Sequence, residues 1–315
     1  MALQAEHLPA LLAAFDLGRR GRLSDGPVAS GRLGSVWRLD TGDRSWAVKE
    51  VAVATANDLA GVEAGAAFQE AAVARGIPAP AIRRTPAGEL IADVGGVGAR
   101  IQAWVDLKEP DLDLDPVELG RLVAELHQVE VPSTIGVDPW YSEPVGAARW
   151  SELITTLRGR RAPFADDLAR LVPEILDLER LLGAPPRALR TCHRDLWADN
   201  VRRTRTGGLC VFDFDNAGLA DPSQELAAVL VEYAADASRG RAIRVSYEEA
   251  GGPGRVEDPS DFAMPIAQLL HIVEEGCRRW LVAETPTARD DNEAWVREFL
   301  DRPVTRSLID RLLAT

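Results

Sequence analysis

Cysteine is nearly missing from this sequence: Cys192, Cys210 and Cys277 are the only three in 315 residues. An odd and sparse set builds no disulfide framework, and two of the three fall inside an apolar stretch, so reduced, packed thiols are expected. The four histidines show no metal-ligand spacing with these cysteines. Long apolar runs are also lacking. None approaches the ~18 residues that span a bilayer. The apolar run near the N-terminus, Leu8 to Phe15, has Glu6 before it and Arg19 and Arg20 after it, an order that does not suit a secretory leader. Nor is there an excess of positive charge: the formal balance is −13 with a pI near 4.9. That argues against general affinity for nucleic acid, whose backbone is neutralised by clustered Lys and Arg, and is compatible with a cationic substrate. The expectation is a cytoplasmic globular protein with no membrane or nucleic-acid partner, long enough for two lobes.

What the sequence does contain is concentrated between Thr191 and Ala227. His193-Arg194-Asp195-Leu196 is followed by Asn200, and then by Leu209, Cys210, Val211, Phe212 and Phe214, an apolar strand interrupted by Asp213. Alone, an Asp is usually a cap or a solvated charge, and an Asn a turn former. Together the three make a constellation, because a carboxylate within a buried strand is costly unless it is paired or holds a metal. The spacing H-R-D-L-x-x-x-N is that of a kinase catalytic loop. Phosphoryl transfer passes through a loose, highly charged transition state, so it needs positioning and charge neutralisation more than covalent chemistry. Asp195 is expected to face the incoming hydroxyl. Asn200 and Asp213 are expected to hold Mg²⁺, which prefers hard oxygen ligands.

Upstream, residues 3–17 read as a short amphipathic helix. From Leu33 the pattern turns to strands: Val36–Leu39, a turn at Asp40-Thr41-Gly42-Asp43, and a return strand Trp46–Val51, a β-hairpin entered through the Gly/Ser-rich turn 26–35. Such a turn can bring backbone N–H groups to phosphates. Lys49, within Ala47-Val48-Lys49, approximates the strand lysine that pairs with nucleotide phosphates in kinases. A helix from about Asn57 to Arg75 carries Glu63 and Glu70; one of them is expected to orient Lys49, with Glu63 preferred as the more central. Gly76-Ile77-Pro78-Ala79-Pro80 stops that helix. Two strands follow, near 81–84 and 89–93. Arg100 to Val105 then reads as a crossover whose backbone, near Gln102 to Trp104, is placed to meet an adenine edge. A helix begins at Pro116 and ends near His127, a histidine expected to be packed or capped. Two or three helices lie between Trp150 and Leu182, one runs from Gln224 to Ala234, and further helices span about 261–282 and 292–299. Between them, 239–258 reads only as glycine-rich and charged.

These motifs resemble the aminoglycoside phosphotransferase and choline kinase family of small-molecule kinases. The matching pieces run over roughly residues 26–230: Val36-Trp37-Arg38-Leu39, Ala47-Val48-Lys49, Gly76 to Pro80, Leu119-Gly120 with Leu126-His127, His193-Arg194-Asp195 with Asn200, and Phe212-Asp213-Phe214 with Gly218, Asp221-Pro222 and Glu225-Leu226-Ala227. The resemblance implies an α+β, bilobal, protein-kinase-like fold: a small antiparallel-sheet lobe over residues 1–103 binding nucleotide, and a larger, mainly helical lobe over 104–315 for catalysis and acceptor. It implies that Asp195 is the catalytic carboxylate, that Asn200 and Asp213 bind Mg²⁺, that Lys49 holds the phosphates of ATP and that Val36 packs on adenine. Two residues depart from the family pattern: Arg194 stands where glycine is usual, and Glu225 where aspartate is.

Arg194 makes the loop look like that of a Ser/Thr protein kinase. Against that reading, Asp221 lies eight residues after Asp213 and starts a helix, as N-cap ahead of Pro222. That leaves too little chain for a peptide-docking segment. The expected reaction is therefore transfer of the γ-phosphate of ATP to a hydroxyl of a small molecule, with a cationic aminoglycoside-like antibiotic the leading candidate and a sugar or amino alcohol such as choline open beside it. In the resembling family acidic side chains meet acceptor amines; Asp199, Glu232, Glu274 and Glu275 are candidates here, with Trp197 as a further contact. A non-catalytic nucleotide-binding scaffold is the third reading, weakened because Lys49, Asp195, Asn200 and Asp213 are all present.

Overall fold

Alternation of apolar and polar residues builds the first part of the structure, and 3.6-residue periodicity the rest. The computed structural model describes residues 2–31, 34–42, 44–51, 56–133 and 136–314. Leu33, where strand character was expected to begin, and Asp43 of the hairpin turn lie outside the described residues. Strands β1 (Arg22–Leu23), β2 (Ala29–Gly31), β3 (Gly34–Thr41), β4 (Arg44–Glu50), β5 (Ile82–Arg83), β6 (Ala92–Asp93) and β7 (Gly98–Ala103) form one sheet. Its order is β1-β3-β4-β7-β5, with β2 on β3 and β6 on β7, and every pairing is antiparallel. The expected hairpin is β3 with β4. Helix α1 (Leu8–Ala14), entered through a 3-10 turn at Ala5–His7, occupies the expected N-terminal helical stretch, and α2 (Ala56–Ala74) follows β4.

By compactness the chain divides into two units. Met1–Asp111, Val129–Val131 and Asp195–Ala217 make one; Leu112–Gln128, Pro132–Arg194 and Gly218–Thr315 make the other. In the first, one face of the sheet is apolar. Trp37, Leu39, Trp46, Val48, Ala99 and Ile101 pack with Leu11, Leu12 and Phe15 into a buried core. Because side chains alternate across a strand, their neighbours in sequence lie on the other face. The stretch 195–217 adds a hairpin of β9 (Val201–Arg203) and β10 (Leu209–Val211). Helix α2 approaches it closely: a Cβ at Gly65 would collide with the carbonyl oxygen of Phe214, and Phe68 meets the Phe214 ring edge-on at 5.8 Å.

The second unit is mainly helical: α3 (Pro116–His127), α4 (Ala147–Gly159), α5 (Ala165–Glu179), α6 (Pro222–Tyr233), α7 (Ala237–Glu249), α8 (Ala263–Val282), α9 (Pro286–Asp301) and α10 (Arg306–Leu313), with β8 (Arg190–Cys192) paired to β11 (Gly218–Ala220). Helix α7 lies in the stretch that reads in sequence only as glycine-rich and charged. Its pattern is weak because the apolar face is reduced to Gly240, Ile243, Ser246 and Tyr247. That narrow face suffices because α3 comes unusually near: a Cβ at Gly120 would strike Ile243 carbonyl and Ser246 Oγ. Asp221 caps α6 as expected, accepting from the Ser223 amide at 2.8 Å, with Pro222 in the first turn. Among the described residues no helix is long and apolar enough to cross a membrane.

Candidate active site

Directly opposed residues of an antiparallel pair share a face of the sheet. Val36 on β3 opposes Lys49 on β4, and Lys49 opposes Arg100 on β7. Two positions along, Arg38 opposes Ala47 and Ala47 opposes Gln102. The sheet therefore presents Val36, Ala47, Lys49, Arg100 and Gln102 on the face turned away from its apolar core, and three of the expected nucleotide-binding residues are brought together there. Gln102 is held by α2, its Oε1 accepting from Gln69 Nε2 at 3.1 Å while the same amide donates to the Pro80 carbonyl at 2.7 Å.

Helix α2 does not supply the partner of Lys49. Glu63 and Glu70 stand two turns apart, and the Arg84 guanidinium forks between them, with contacts of 3.0 Å to Glu63 and 2.7 Å to Glu70. A planar fork of five donors suits two carboxylates better than an ammonium does. The expected Lys49–Glu63 pair is thus replaced. Lys49 Nζ donates to Asp213 Oδ1 at 2.7 Å and to Asp215 Oδ2 at 2.6 Å. The backbone expected to meet adenine is also largely engaged: the Ala103 amide donates to the Ala81 carbonyl at 2.8 Å and the Trp104 amide to Ser45 at 3.0 Å. The Trp104 indole donates to Asp106, and Arg38 lies over its ring.

Asp213 begins a turn. Its φ of 59° lies in the left-handed region, and the 3-10 turn Phe214–Asn216 follows directly. This geometry turns Asp213 and Asp215 toward Lys49 and sends Asn216 to the loop that carries Asp195. Asp195 Oδ2 accepts from Asn200 Nδ2 at 2.8 Å and from Asn216 Nδ2 at 3.0 Å. The loop is a tight turn in which the Asn200 and Val201 amides donate to the Trp197 carbonyl. The Phe212 amide donates to the Asn200 carbonyl at 3.1 Å, which ties the loop to the residue before Asp213. Asn200 spends its amide hydrogens on Asp195, leaving its oxygen for a cation. Burial raises the Asp215 carboxyl, but the charges of Arg100 and Lys49 and their hydrogen bonds outweigh it and hold it below the usual carboxylate range.

Sequence reasoning missed Asp215, Asn216 and Arg100. Asp215 had a local signal, a second Asp two positions after Asp213. Asn216 was adjacent but had no spacing rule to mark it. Arg100 resembles any strand cation until its cross-strand neighbours are known.

In the second unit His127 is fully buried, as a packed histidine should be. Its Nδ1 meets Tyr247 Oη and its Nε2 meets Glu225 Oε2, each at 2.8 Å. Glu225 also accepts from the backbone amides of His193, at 3.1 Å, and Arg194. Burial raises the Glu225 carboxyl, yet the His127 hydrogen bond and neighbouring charges bring it below the usual range. Cys192 beside it is pushed well up by burial and by the Glu225 and Asp221 charges, an inert packed thiol as expected.

Arg194 has φ 63°, a left-handed conformation that explains why glycine is usual there. Its guanidinium stacks 4.2 Å above the Tyr141 ring and lies against Gly218. Arg194→Gly should relieve the left-handed cost while losing the stack; Arg194→Ala loses the stack and keeps the cost. Thermal denaturation should therefore place the alanine variant below the glycine variant by about 1 kcal/mol.

Of the expected acceptor residues, Asp199 is exposed, and Trp197 and Glu232 are half-buried. Glu274 Oε1 is bound by Arg149 at 2.7 and 2.9 Å, so its charge is already matched. Glu275 pairs with Arg278 and Arg279.

A family model described as "Phosphotransferase enzyme family" matches residues 26–263. No curated protein sequence matches the chain. Among solved structures, the chain resembles a spectinomycin phosphotransferase in complex with ADP and spectinomycin, with TM-score 0.71, 14% identity, and 100% of this chain and 99% of that one covered. It also resembles a microcompartment-associated aminopropanol kinase, with TM-score 0.62, 15% identity and coverage of 99% and 98%. A third is a choline/ethanolamine kinase family protein from Mesorhizobium loti, with TM-score 0.55, 16% identity and coverage of 99% and 100%.

Proposed function

The chain belongs to the phosphotransferase enzyme family, and from that we propose that this small-molecule kinase transfers the γ-phosphate of ATP to a hydroxyl of its acceptor, with Mg²⁺ as cofactor. The observation that carries the reading is the Asp195 carboxylate, held by Asn200 and Asn216 within one compact unit that also contains the Lys49–Asp213 pair. In that unit Asp195 orients the acceptor hydroxyl and takes its proton, and its two amide partners hold the carboxylate in place. Lys49 supplies positive charge for the phosphates, and Val36 and Ala47 offer an apolar surface for the base. The donor set fits Mg²⁺: Asn200 Oδ1 and the carboxylate of Asp213 are hard oxygens, and Asp213 is exposed enough (39%) to be reached. When bound there, the ion would neutralise charge on the β- and γ-phosphates.

Asp213→Asn should raise the Mg²⁺ concentration needed for half-maximal rate by no less than the roughly 10–100-fold that losses outside the direct ligands cost. A magnesium titration of the rate measures this.

The neighbours named for spectinomycin, aminopropanol and choline/ethanolamine set the acceptor panel. Asp199, exposed to solvent, is the acidic side chain we favour for meeting an amine; Glu274, matched by Arg149, does not favour one. ADP release should be screened over aminoglycosides, amino alcohols, sugars and nucleosides beside a peptide library. Turnover on a small alcohol supports the reading, and turnover on peptides alone overturns it. Arg194 lends the protein-kinase alternative little, because it is buried against Tyr141 and the chain after Asp213 is used up by the 3-10 turn, β11 and the Asp221 cap.

A further inference from the structure

Two cations face each other across β4 and β7. Like charges directly opposed on a sheet destabilise it, and these are not free to separate: the side chains of Lys49 and Arg100 are only 14% and 11% exposed. Asp213 and Asp215 make the arrangement tolerable. Lys49 bonds both, while Arg100 forms an ion pair with Asp215 Oδ1 and stands 4.0 Å from Asp213 Oδ1. The four groups form a balanced set, two positive and two negative, shared rather than paired off.

The balance changes when Asp213 takes on a magnesium ion. Carboxylate charge then goes to the metal, and two nearly buried cations lose part of their compensation, a costly state in a poorly hydrated site. The group that arrives with the metal and carries surplus negative charge is the triphosphate. A guanidinium matches phosphate oxygens with its planar fork, and an ammonium binds them as a point charge. We propose that Arg100 is a second phosphate-binding cation of this site, acting beside Lys49 on the β- and γ-phosphates of the nucleotide. This rests on the kinase reading above. It gives the strand three positions with distinct work: Gln102 held by α2, Ile101 in the apolar core, and Arg100 on the phosphates.

The test compares binding of ATP, ADP and AMP, each with Mg²⁺, by calorimetry, because a cation on the terminal phosphates discriminates among the three and a merely structural one does not. Wild type should bind ATP more tightly than AMP. Arg100→Met should lose roughly ten- to a hundredfold in ATP affinity, the range for one hydrogen bond to a charged group, with AMP affinity changed by less than about threefold, and Arg100→Lys should restore most of the ATP preference. A folded Arg100→Met protein with the wild-type ATP-to-AMP ratio overturns the assignment of Arg100 and leaves the kinase reading standing. If the methionine variant does not fold, Arg100→Gln decides: a loss at least several-fold greater for ATP than for AMP supports the proposal, and equal losses for the two overturn it. Failure of the wild-type protein to bind any of the three overturns the kinase reading and this proposal with it.

Discussion

Replacing Asp195 with alanine should lower phosphoryl transfer by roughly 10²–10⁴-fold in kcat, the usual contribution of a positioned acid–base group, while leaving ATP affinity close to wild type. The asymmetry follows from geometry. Asp195 bonds Asn200 and Asn216, whereas the charge proposed to face the phosphates is that of Lys49, paired with Asp213 and Asp215. Removing the carboxylate takes away the group proposed to meet the hydroxyl and leaves those charges in place. Asp195→Asn should be nearly as slow, because an amide keeps the shape but cannot accept the proton. Steady-state kinetics beside nucleotide titration separates the two effects. An Asp195→Ala enzyme turning over normally would remove Asp195 from the mechanism.

The largest effect on stability is expected at Glu225. Its carboxylate is wholly buried and accepts from two backbone amides and His127. Truncation to alanine strips all three of their acceptor, and breaking a buried charged network by removing one partner costs about 3–5 kcal/mol. Against a typical total of roughly 5–15 kcal/mol, that is enough to lower the melting temperature sharply. The amides it holds belong to the two residues immediately before Asp195 in the chain, so activity should fall with stability. Aspartate, the residue usual in the family, keeps the charge but is one methylene shorter. It should cost less than alanine, and the thermal melts should rank glutamate, aspartate, alanine.

The pH dependence has a definite sign. Glu225 and Asp215 both have folded-state pKa values below their unfolded ones. Each therefore contributes stability that is fully present above the unfolded value and is lost as pH falls through the folded one. The window lies below the ordinary carboxyl values of 4.5 and 3.8. Wild-type protein should lose stability steeply there, and Glu225→Gln, less stable at neutral pH, should show a shallower acid limb in denaturant melts.

How legible all this was in the sequence depended on distance along the chain. That Asp195, Asn200 and Asp213 lie close together could be read because the motif fixes their local offsets, and the Asp221-Pro222 helix start because a cap is a local device. The β3–β4 hairpin was legible from alternation alone. What failed to show was set by long-range register. Lys49 meets carboxylates more than 160 residues away, and no local pattern distinguishes them from Glu63 on the next helix. Arg100 acquires meaning only by standing opposite Lys49. Helix α7 escaped notice because its buried face is four residues wide, made possible by the glycine at position 120 of another helix.

The central claim is that phosphate moves from a nucleotide to a carbon-bound hydroxyl of a small molecule. Phosphorus NMR of the small-molecule fraction, after incubation with ATP, Mg²⁺ and the acceptor panel, tests it most directly. The account predicts a new phosphomonoester resonance, with one ADP formed per ester and no signal in the Asp195→Ala control. Inorganic phosphate as the sole product, or phosphate appearing only on polypeptide, would contradict it.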